Sequence, residues 1–383
     1  MRILAFTSIR SEYDLMSPLY SLLKNDPEID FRLVVAGAHL SPKFDYSVNL
    51  IRQDGFPILI EIESLIDSDT ESARLKSAAN LLLGAIDPIR MFSPDLLLFA
   101  GDREEVLVGA MVGAYLSIPS IHFYGGDHAE DGHVDNPVRH ATTKLATYHF
   151  VSHQTHADRI LRMGEPEWRV KLIGSIALDK FKVDPPKSED NKINRFKNLE
   201  GKKAIVIYHP IKEEIANSGQ IVRDMIEALL ERDYICLVGA PNTDPGNAQI
   251  KKEIDKLERE NERVISYKNL SRSEFVSLFK SASLIIGNSS AGLLEAASVP
   301  IPAVNVGHRQ KGRLCPENVI FVDASTESIR TGIKQTEAPE FASKIASMKN
   351  PFGDGGSAKR AYDLIKSLDF RFALPKPEDP LKI

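Results

Sequence analysis

Residues 95–123 read DLLLFAGDREEVLVGAMVGAYLSIPSIHF, and this stretch decides the fold class. Asp95 to Ala100 is an apolar run with no polar alternation, the pattern of a strand buried on both faces. Gly101, Asp102 and Arg103 break it, Glu104 to Tyr115 has helical spacing, and Ile118 to Phe123 returns as a strand. The same alternation extends outward. On one side lie strands at Ile3–Thr7 and Phe31–Ala36 around a helix at Tyr13–Leu23. On the other, past the polar interval PPKSEDNK at 185–192, strands recur at Ala204–Tyr208, Tyr234–Gly239, Leu284–Gly287 and Ile301–Val306. A late helix is expected over Lys359–Asp369. Apolar strands alternating with amphipathic helices predict parallel sheets covered on both faces. The 383 residues are enough for two such sheets. We therefore expect an α/β protein of two doubly wound domains facing a cleft. One spans 1–175 and the other 176–358, with a helix and tail at 359–383 packing back on the first. A hinge is expected near 175–200.

Composition narrows the function. With 43% hydrophobic and 26% charged residues the chain reads as a soluble globular protein, and its net charge of -5 argues against a general nucleic-acid binder. Cys236 and Cys315, two cysteines in all, cannot build a disulfide framework, and no metal-ligand spacing surrounds them. The apolar runs are too short to span a bilayer, and charges at Arg10, Glu12 and Asp14 interrupt any signal-peptide core. A cytoplasmic location is expected, with no membrane or nucleic-acid partner, no metal and no cofactor.

In doubly wound folds ligands bind beyond the carboxyl ends of the strands, so the residues following each strand carry the functional information. After the first strand comes SIRSEYD, with Arg10 at a helix start, where a guanidinium can fork onto phosphate. After the second comes AGAH, ending at His39. Asp102 and Arg103 follow the strand at 95–100. The densest stretch is HFYGGDHAEDGHVDNPVRHATTK at 122–144. It holds His122, Asp127, Asp131 and Asp135, with Arg139 on the helix that Asp135-Asn136-Pro137 begins. In the second half the strand-end residues are His209, then Asn242 in APNTDPG, then GNSSAGLLEAA at 287–297. There Ser289 and Ser290 begin a short helix, a ready anion site, and Glu295 is placed to accept ribose hydroxyls. GHRQKGR at 307–313 adds Arg309 and Arg313 as a further phosphate-binding cluster.

Taken in order, SIRSEY, AGAH, GDR, GGD…DNPVRHATTKL, HP, GNSSAGLLEA and GHRQKGR resemble the UDP-N-acetylglucosamine 2-epimerase family. The likeness runs from Arg2 to about residue 320 and is strongest to the hydrolysing branch, which serves sialic and legionaminic acid biosynthesis. The resemblance implies the GT-B fold, two Rossmann-like domains with the sugar side in the N-terminal one and the nucleotide held mainly by the C-terminal one. It places nucleotide contacts on Arg10, Arg103, His209, Asn242, Ser289, Ser290, Glu295 and Arg309, and catalytic acids on Asp102 and Asp135 with His122 nearby. One position departs. Many members carry glutamate two residues after that histidine, where this chain has Tyr124. A phenol of ordinary pKa is a poor base at neutral pH, so the base is Asp127, Asp131 or a tyrosinate. The implied reaction releases nucleoside diphosphate and a manno-configured free sugar from an NDP-linked 2-acetamido sugar through a glycal, with no cofactor. The substrate is UDP-GlcNAc or UDP/GDP-diacetylbacillosamine, and the assembly a homodimer or homotetramer. The alternatives are a non-hydrolysing epimerase, a GT-B glycosyltransferase and a catalytically inactive nucleotide-sugar binding protein.

Overall fold

The computed structural model describes the chain except for residues 69, 131–133, 183–198, 210, 212, 242–245, 269, 271 and 380–383. It divides into two units. Unit 1 comprises Met1–His128, Gly132–Asp179 and Phe352–Ile383, and unit 2 comprises Ala129–Asp131 and Lys180–Pro351. Most of the segment expected to act as a hinge lies outside the described residues. Among the described residues no helix is long and apolar enough to cross a membrane.

Unit 1 is built on a parallel sheet of β1 (Arg2–Thr7), β2 (Asp30–Ala36), β3 (Ile58–Ile62), β4 (Leu96–Ala100), β5 (Ser120–Phe123), β6 (Tyr148–Val151) and β7 (Val170–Leu172). Their spatial order is β3-β2-β1-β4-β5-β6-β7. Alternate residues of each strand face opposite sides, so a strand with no polar member serves two cores. Ile3, Ala5, Leu96 and Leu98 enter one core, and Leu4, Phe6, Leu97 and Phe99 the other. The helix Arg10–Lys24 covers the first with Tyr13, Met16, Tyr20 and Leu23, and the helix Glu71–Phe92 covers the second with Leu81, Ala85 and Ile89. Both sets recur at three- and four-residue spacing, the geometry of one helix face.

The end of the chain completes this unit. Ala358, Ala361 and Ile365 of the helix Ser357–Ser367 enter the same core as Ile3, and Tyr362 donates to Asp26 at 2.7 Å. Fully buried Arg169 donates to the carbonyls of Ala373 and Pro375 at 2.6 Å each. Lys376 donates to the carbonyls of Lys144 (3.1 Å) and Ala146 (2.7 Å), and so caps the helix Asp135–Leu145.

Unit 2 has β8 (Lys202–Ile207), β9 (Tyr234–Gly239), β10 (Val264–Tyr267), β11 (Leu284–Gly287), β12 (Ala303–Val306) and β13 (Val319–Val322), in the order β10-β9-β8-β11-β12-β13. The helices Ser218–Leu230, Asn247–Glu260 and Thr326–Thr336 cover one face, where Val206, Val238, Ile286 and Val304 meet Met225, Ile254 and Ile333. In each unit the strand order reverses once, between β1 and β4 and between β8 and β11. At such a reversal the two following connections leave to opposite faces and open a crevice.

Just before the boundary, Asp179 accepts from the amides of Ser357 (3.0 Å) and Ala358 (2.7 Å), one on each carboxylate oxygen. It thereby caps the Ser357–Ser367 helix from a distant part of the sequence. Asp179→Ala is expected to destabilise unit 1 by roughly 0.5–2 kcal/mol, the usual value of a cap, in urea unfolding followed by circular dichroism.

Candidate functional site

At the unit 1 reversal two turns lie side by side. After β1 come Ser8 and Arg10, which starts the helix Arg10–Lys24, and after β4 come Asp102 and Arg103, the N-cap of the helix Glu104–Tyr115. The Arg10 guanidinium is 3.5 Å from Asp14, and that of Arg103 is 3.4 Å from Glu105 and 3.7 Å from Glu104. Two carboxyl groups overlooked in the sequence, Glu12 and Glu105, belong to these same turns. Desolvation pushes Glu12 well above the usual carboxylate range, with the charge of Glu105 adding to it. Desolvation also raises Glu105, against the opposing pull of Arg103. Both are thus biased toward the protonated form, a property of groups that deliver protons. Acids in a first helical turn read as partners of the helix dipole, which hid them. Their position after β1 and β4, either side of the reversal, was the signal that could have found them.

The dense polar stretch supplies the other acids. Asp102 forms an ion pair with Arg139, whose side chain is only 3% exposed. Arg139 also donates to the Asp127 carbonyl at 3.0 Å and to Asn136 Oδ1 at 3.1 Å. It is therefore an internal tie that fixes the turns of Asp102 and Asp127, rather than an outward fork. The Asp127 carboxylate accepts from the amide of His128 at 2.8 Å and lies 3.5 Å from His156 Nε2. Asp135, the first residue of its helix, is 3.5 Å from Arg74, which also pairs with Glu104 at 2.6 Å. Arg139 thus joins the Asp102 carboxylate to the Asp127 backbone, while Arg74 joins Asp135 to Glu104. Asp131 lies outside the described residues.

His122 is fully buried. A carbonyl can only accept, so Nε2 carries the proton and donates to Gly101 O at 2.8 Å, while Nδ1 accepts from Thr143 at 3.2 Å. The ring supports the Asp102 turn from behind. Gly125 makes room for it, since a Cβ there would lie 3.0 Å from Nδ1. Tyr124 has φ +63°, and its hydroxyl accepts from the amide of Ala177 at 3.3 Å. His39, expected to touch substrate, has no exposed ring atom. Its two nitrogens are bonded to Thr7 Oγ1 (3.0 Å) and Ser47 Oγ (2.8 Å).

Unit 2 gathers its candidates around Asn288, which sequence reading passed over as part of the GNSS turn. The Asn288 side chain accepts from the amide of His209 and donates to its carbonyl, each at 2.7 Å, stapling the turns after β8 and β11 together. Its own carbonyl accepts from Arg309 (3.0 Å) and Gln310 (2.8 Å), and Arg313 donates to Gln310 Oε1 at 2.9 Å. Gly287 is obligatory: φ is +134° and a Cβ would lie 2.0 Å from the Ile207 carbonyl. Buried Glu214 accepts from Tyr208 and from the amide of His308 (3.4 Å), fixing the start of the loop that carries Arg309. Ser289 and Ser290 therefore stand on a turn held from three sides. The helix after them, Ala291–Leu294, is a single turn, so its dipole is small, and the Ala291 amide donates to Ser289 Oγ at 3.3 Å. Glu295 is 5% exposed and paired with Lys180 at 3.1 Å. Beside Arg313, a cavity of about 620 Å³ is lined by His308, Lys311, Phe321 and Glu327. Asn242 lies outside the described residues.

A family model described as UDP-N-acetylglucosamine 2-epimerase matches residues 21–366. The chain is 32% identical over 370 residues to the UDP-N,N'-diacetylbacillosamine 2-epimerase (hydrolyzing) of Legionella pneumophila, covering 96% of each chain. It is 29% identical over 343 residues to the GDP/UDP-N,N'-diacetylbacillosamine 2-epimerase (hydrolyzing) of Campylobacter jejuni, covering 89% of this chain and 88% of the relative. The crystal structure of UDP-GlcNAc 2-epimerase from Neisseria meningitidis bound to UDP-GlcNAc superposes with a TM-score of 0.82 at 18% identity, covering 96% of this chain and 100% of that one. The shared fold is that of two Rossmann-like domains, the GT-B fold.

Burial makes this site sensitive to acid. Desolvation lowers His122 to about 3 and His39, His149 and His156 to about 4. Above the unfolded value near 6.5 both native and unfolded chains carry neutral imidazoles. As pH falls below it the unfolded chain takes up protons that the native chain refuses, so stability is lost from pH 6.5 down to about 4 and, for His122, to about 3. Each ring contributes up to about 1.4 kcal/mol per pH unit. The melting temperature of wild type should fall steeply across that window, and that of His122→Asn less steeply.

Proposed function

The chain belongs to the UDP-N-acetylglucosamine 2-epimerase family, and from that premise we propose that it is a hydrolysing 2-epimerase acting on an NDP-linked 2-acetamido sugar. Its substrate is UDP- or GDP-linked diacetylbacillosamine, as in the names of the Legionella and Campylobacter relatives, or UDP-GlcNAc. A cytoplasmic location and a homodimer or homotetramer are part of the same proposal.

The observation that carries this reading is the Asn288-centred turn. A diphosphate leaving from an acetal carbon needs donors already aimed at it, because donors that must reorganise lose much of their effect. Arg309 is drawn onto the Asn288 carbonyl, next to Ser289 and Ser290, and His209 is stapled to the same residue. Unit 2 is therefore assigned the nucleotide, and the acids of unit 1 the proton chemistry.

In the first step the bond from carbon 1 to the diphosphate oxygen breaks, the proton leaves carbon 2, and the electron pair closes the glycal double bond. In the second, water gives its hydroxyl to carbon 1, and a proton reaches carbon 2 from the opposite face. We assign the base to Asp127, in the turn that Tyr124 opens, since the Tyr124 hydroxyl is engaged by the Ala177 amide. Asp102 and Asp135 are the further candidate acids, and Glu12 and Glu105 suit proton delivery because desolvation raises their pKa.

Purified protein should release nucleoside diphosphate and free sugar from at least one of UDP-GlcNAc, UDP-diacetylbacillosamine and GDP-diacetylbacillosamine, with deuterium at carbon 2 in heavy water. An epimerised nucleotide sugar as the sole product would mean a non-hydrolysing enzyme, and nucleotide binding without turnover a binding protein. Asp102→Asn should lower kcat by about 10²–10⁴-fold.

A further inference from the structure

Glu295 and Lys180 form an ion pair that neither surface solubility nor simple core packing explains. Their side chains are 7% and 6% exposed, and Lys180 Nζ is 3.1 Å from Glu295 Oε1. The ammonium also lies 4.3 Å from the centre of the Phe275 ring and 5.6 Å from that of Phe181, so its non-bonded side faces aromatic π-electrons rather than water. Taking both charges out of water is unfavourable, and an apolar pair of the same volume would often be at least as stable. A buried pair of this kind is better explained by orientation than by stability.

The geometry is one-sided. Lys180 holds Oε1, and among the described residues no hydrogen-bond partner faces Oε2. A carboxylate oxygen has two lone pairs, so Oε1 retains acceptor capacity while its direction is fixed. The backbone on either side is also held. Asp179, next to Lys180, is clamped by the amides of Ser357 and Ala358. Glu295 directly follows the single-turn helix that begins after Ser290.

We infer that Lys180 is a positioning residue for ribose recognition: it locks the Glu295 carboxylate so that its two oxygens accept the two neighbouring hydroxyls of a nucleotide's ribose. This rests on the nucleotide-binding assignment of unit 2 made above. Lys180 does not touch the ligand. It acts by stopping the carboxylate from rotating, so its loss weakens the contribution of the ribose hydroxyls and leaves the phosphate donors around Asn288 in place.

Calorimetric titration of the full chain with UDP, GDP and their 2′-deoxy counterparts tests the assignment. Wild type should bind the better ribonucleotide at least about tenfold more tightly than its deoxy form, the worth of one hydrogen bond to a charged group. In Lys180→Met, which keeps the volume against Phe275 and removes the charge, that ratio should fall to within about twofold. The ribonucleotide affinity should drop about tenfold, deoxy binding should change little, and KM for the nucleotide sugar should rise more than kcat falls. Lys180→Arg, which keeps the charge, should recover part of the discrimination, as a purely structural defect would not. An unchanged ratio in folded Lys180→Met, or a wild type that binds nucleotide without telling ribose from deoxyribose, would overturn the inference. If Lys180→Met does not fold, Lys180→Gln is judged by the same ratio. A wild type that binds neither UDP nor GDP would instead overturn the nucleotide assignment.

Discussion

A parallel strand ends with bare backbone groups at its carboxyl edge, and right-handed crossovers decide where the chain goes from there. When two adjacent strands send their connections to opposite faces, nothing covers the gap between them. This constraint acts on both sheets, at β1/β4 and at β8/β11, and it places nearly every chemically interesting side chain described above. Asp102, Arg103, Glu12 and Glu105 lie together because they are among the first residues beyond β1 and β4. His209, Asn288 and Ser289 lie together because they follow β8 and β11. The sheets themselves need only apolar strands, so the interior stays generic while the edge is free to specialise.

Once polar groups are gathered at such an edge, their partial burial has to be compensated. The chain does this with a small number of multiply bonded residues. Arg139 serves the Asp102 carboxylate, the Asp127 carbonyl and Asn136, and Asn288 serves His209, Arg309 and Gln310. In each case a single side chain or peptide unit fixes several loops at once, because a half-satisfied buried network is less stable than none.

Much of this organisation was legible in the sequence. Strands at the centre of each sheet, such as β4 with LLLFA and β11 with LIIG, are apolar throughout because both faces are covered, and they declare themselves. The members nearer the margins do not. β7 is three residues long with Leu172 half exposed, β3 carries Glu61, and β6 includes the buried His149, so each lacks the uninterrupted apolar run that marks a central strand. Candidate site residues divide in a similar way. Asp102, Ser289 and Arg309 stand directly after strands or in conspicuous polar runs. Lys180 and Glu214 do not, because a lysine in LDKFK or a glutamate in KEE looks like a solvated surface residue until the fold brings Glu295 to one and Tyr208 to the other. His39 and His122 show the opposite error, since a strand-end histidine reads as reactive, yet here both rings turn inward and fasten neighbouring turns.

The division of the chain also bears on its synthesis. Unit 1 draws on segments either side of unit 2 in the sequence, joined through the Ser357–Ser367 helix, Arg169 and Lys376. Unit 2, apart from a three-residue contribution at Ala129–Asp131, is continuous from Lys180 to Pro351. Domains generally fold as units while the polypeptide emerges from the ribosome, and commonly the amino-terminal one leads. In this chain unit 1 has its full core only once unit 2 has been translated, because the helix that closes it comes after Pro351.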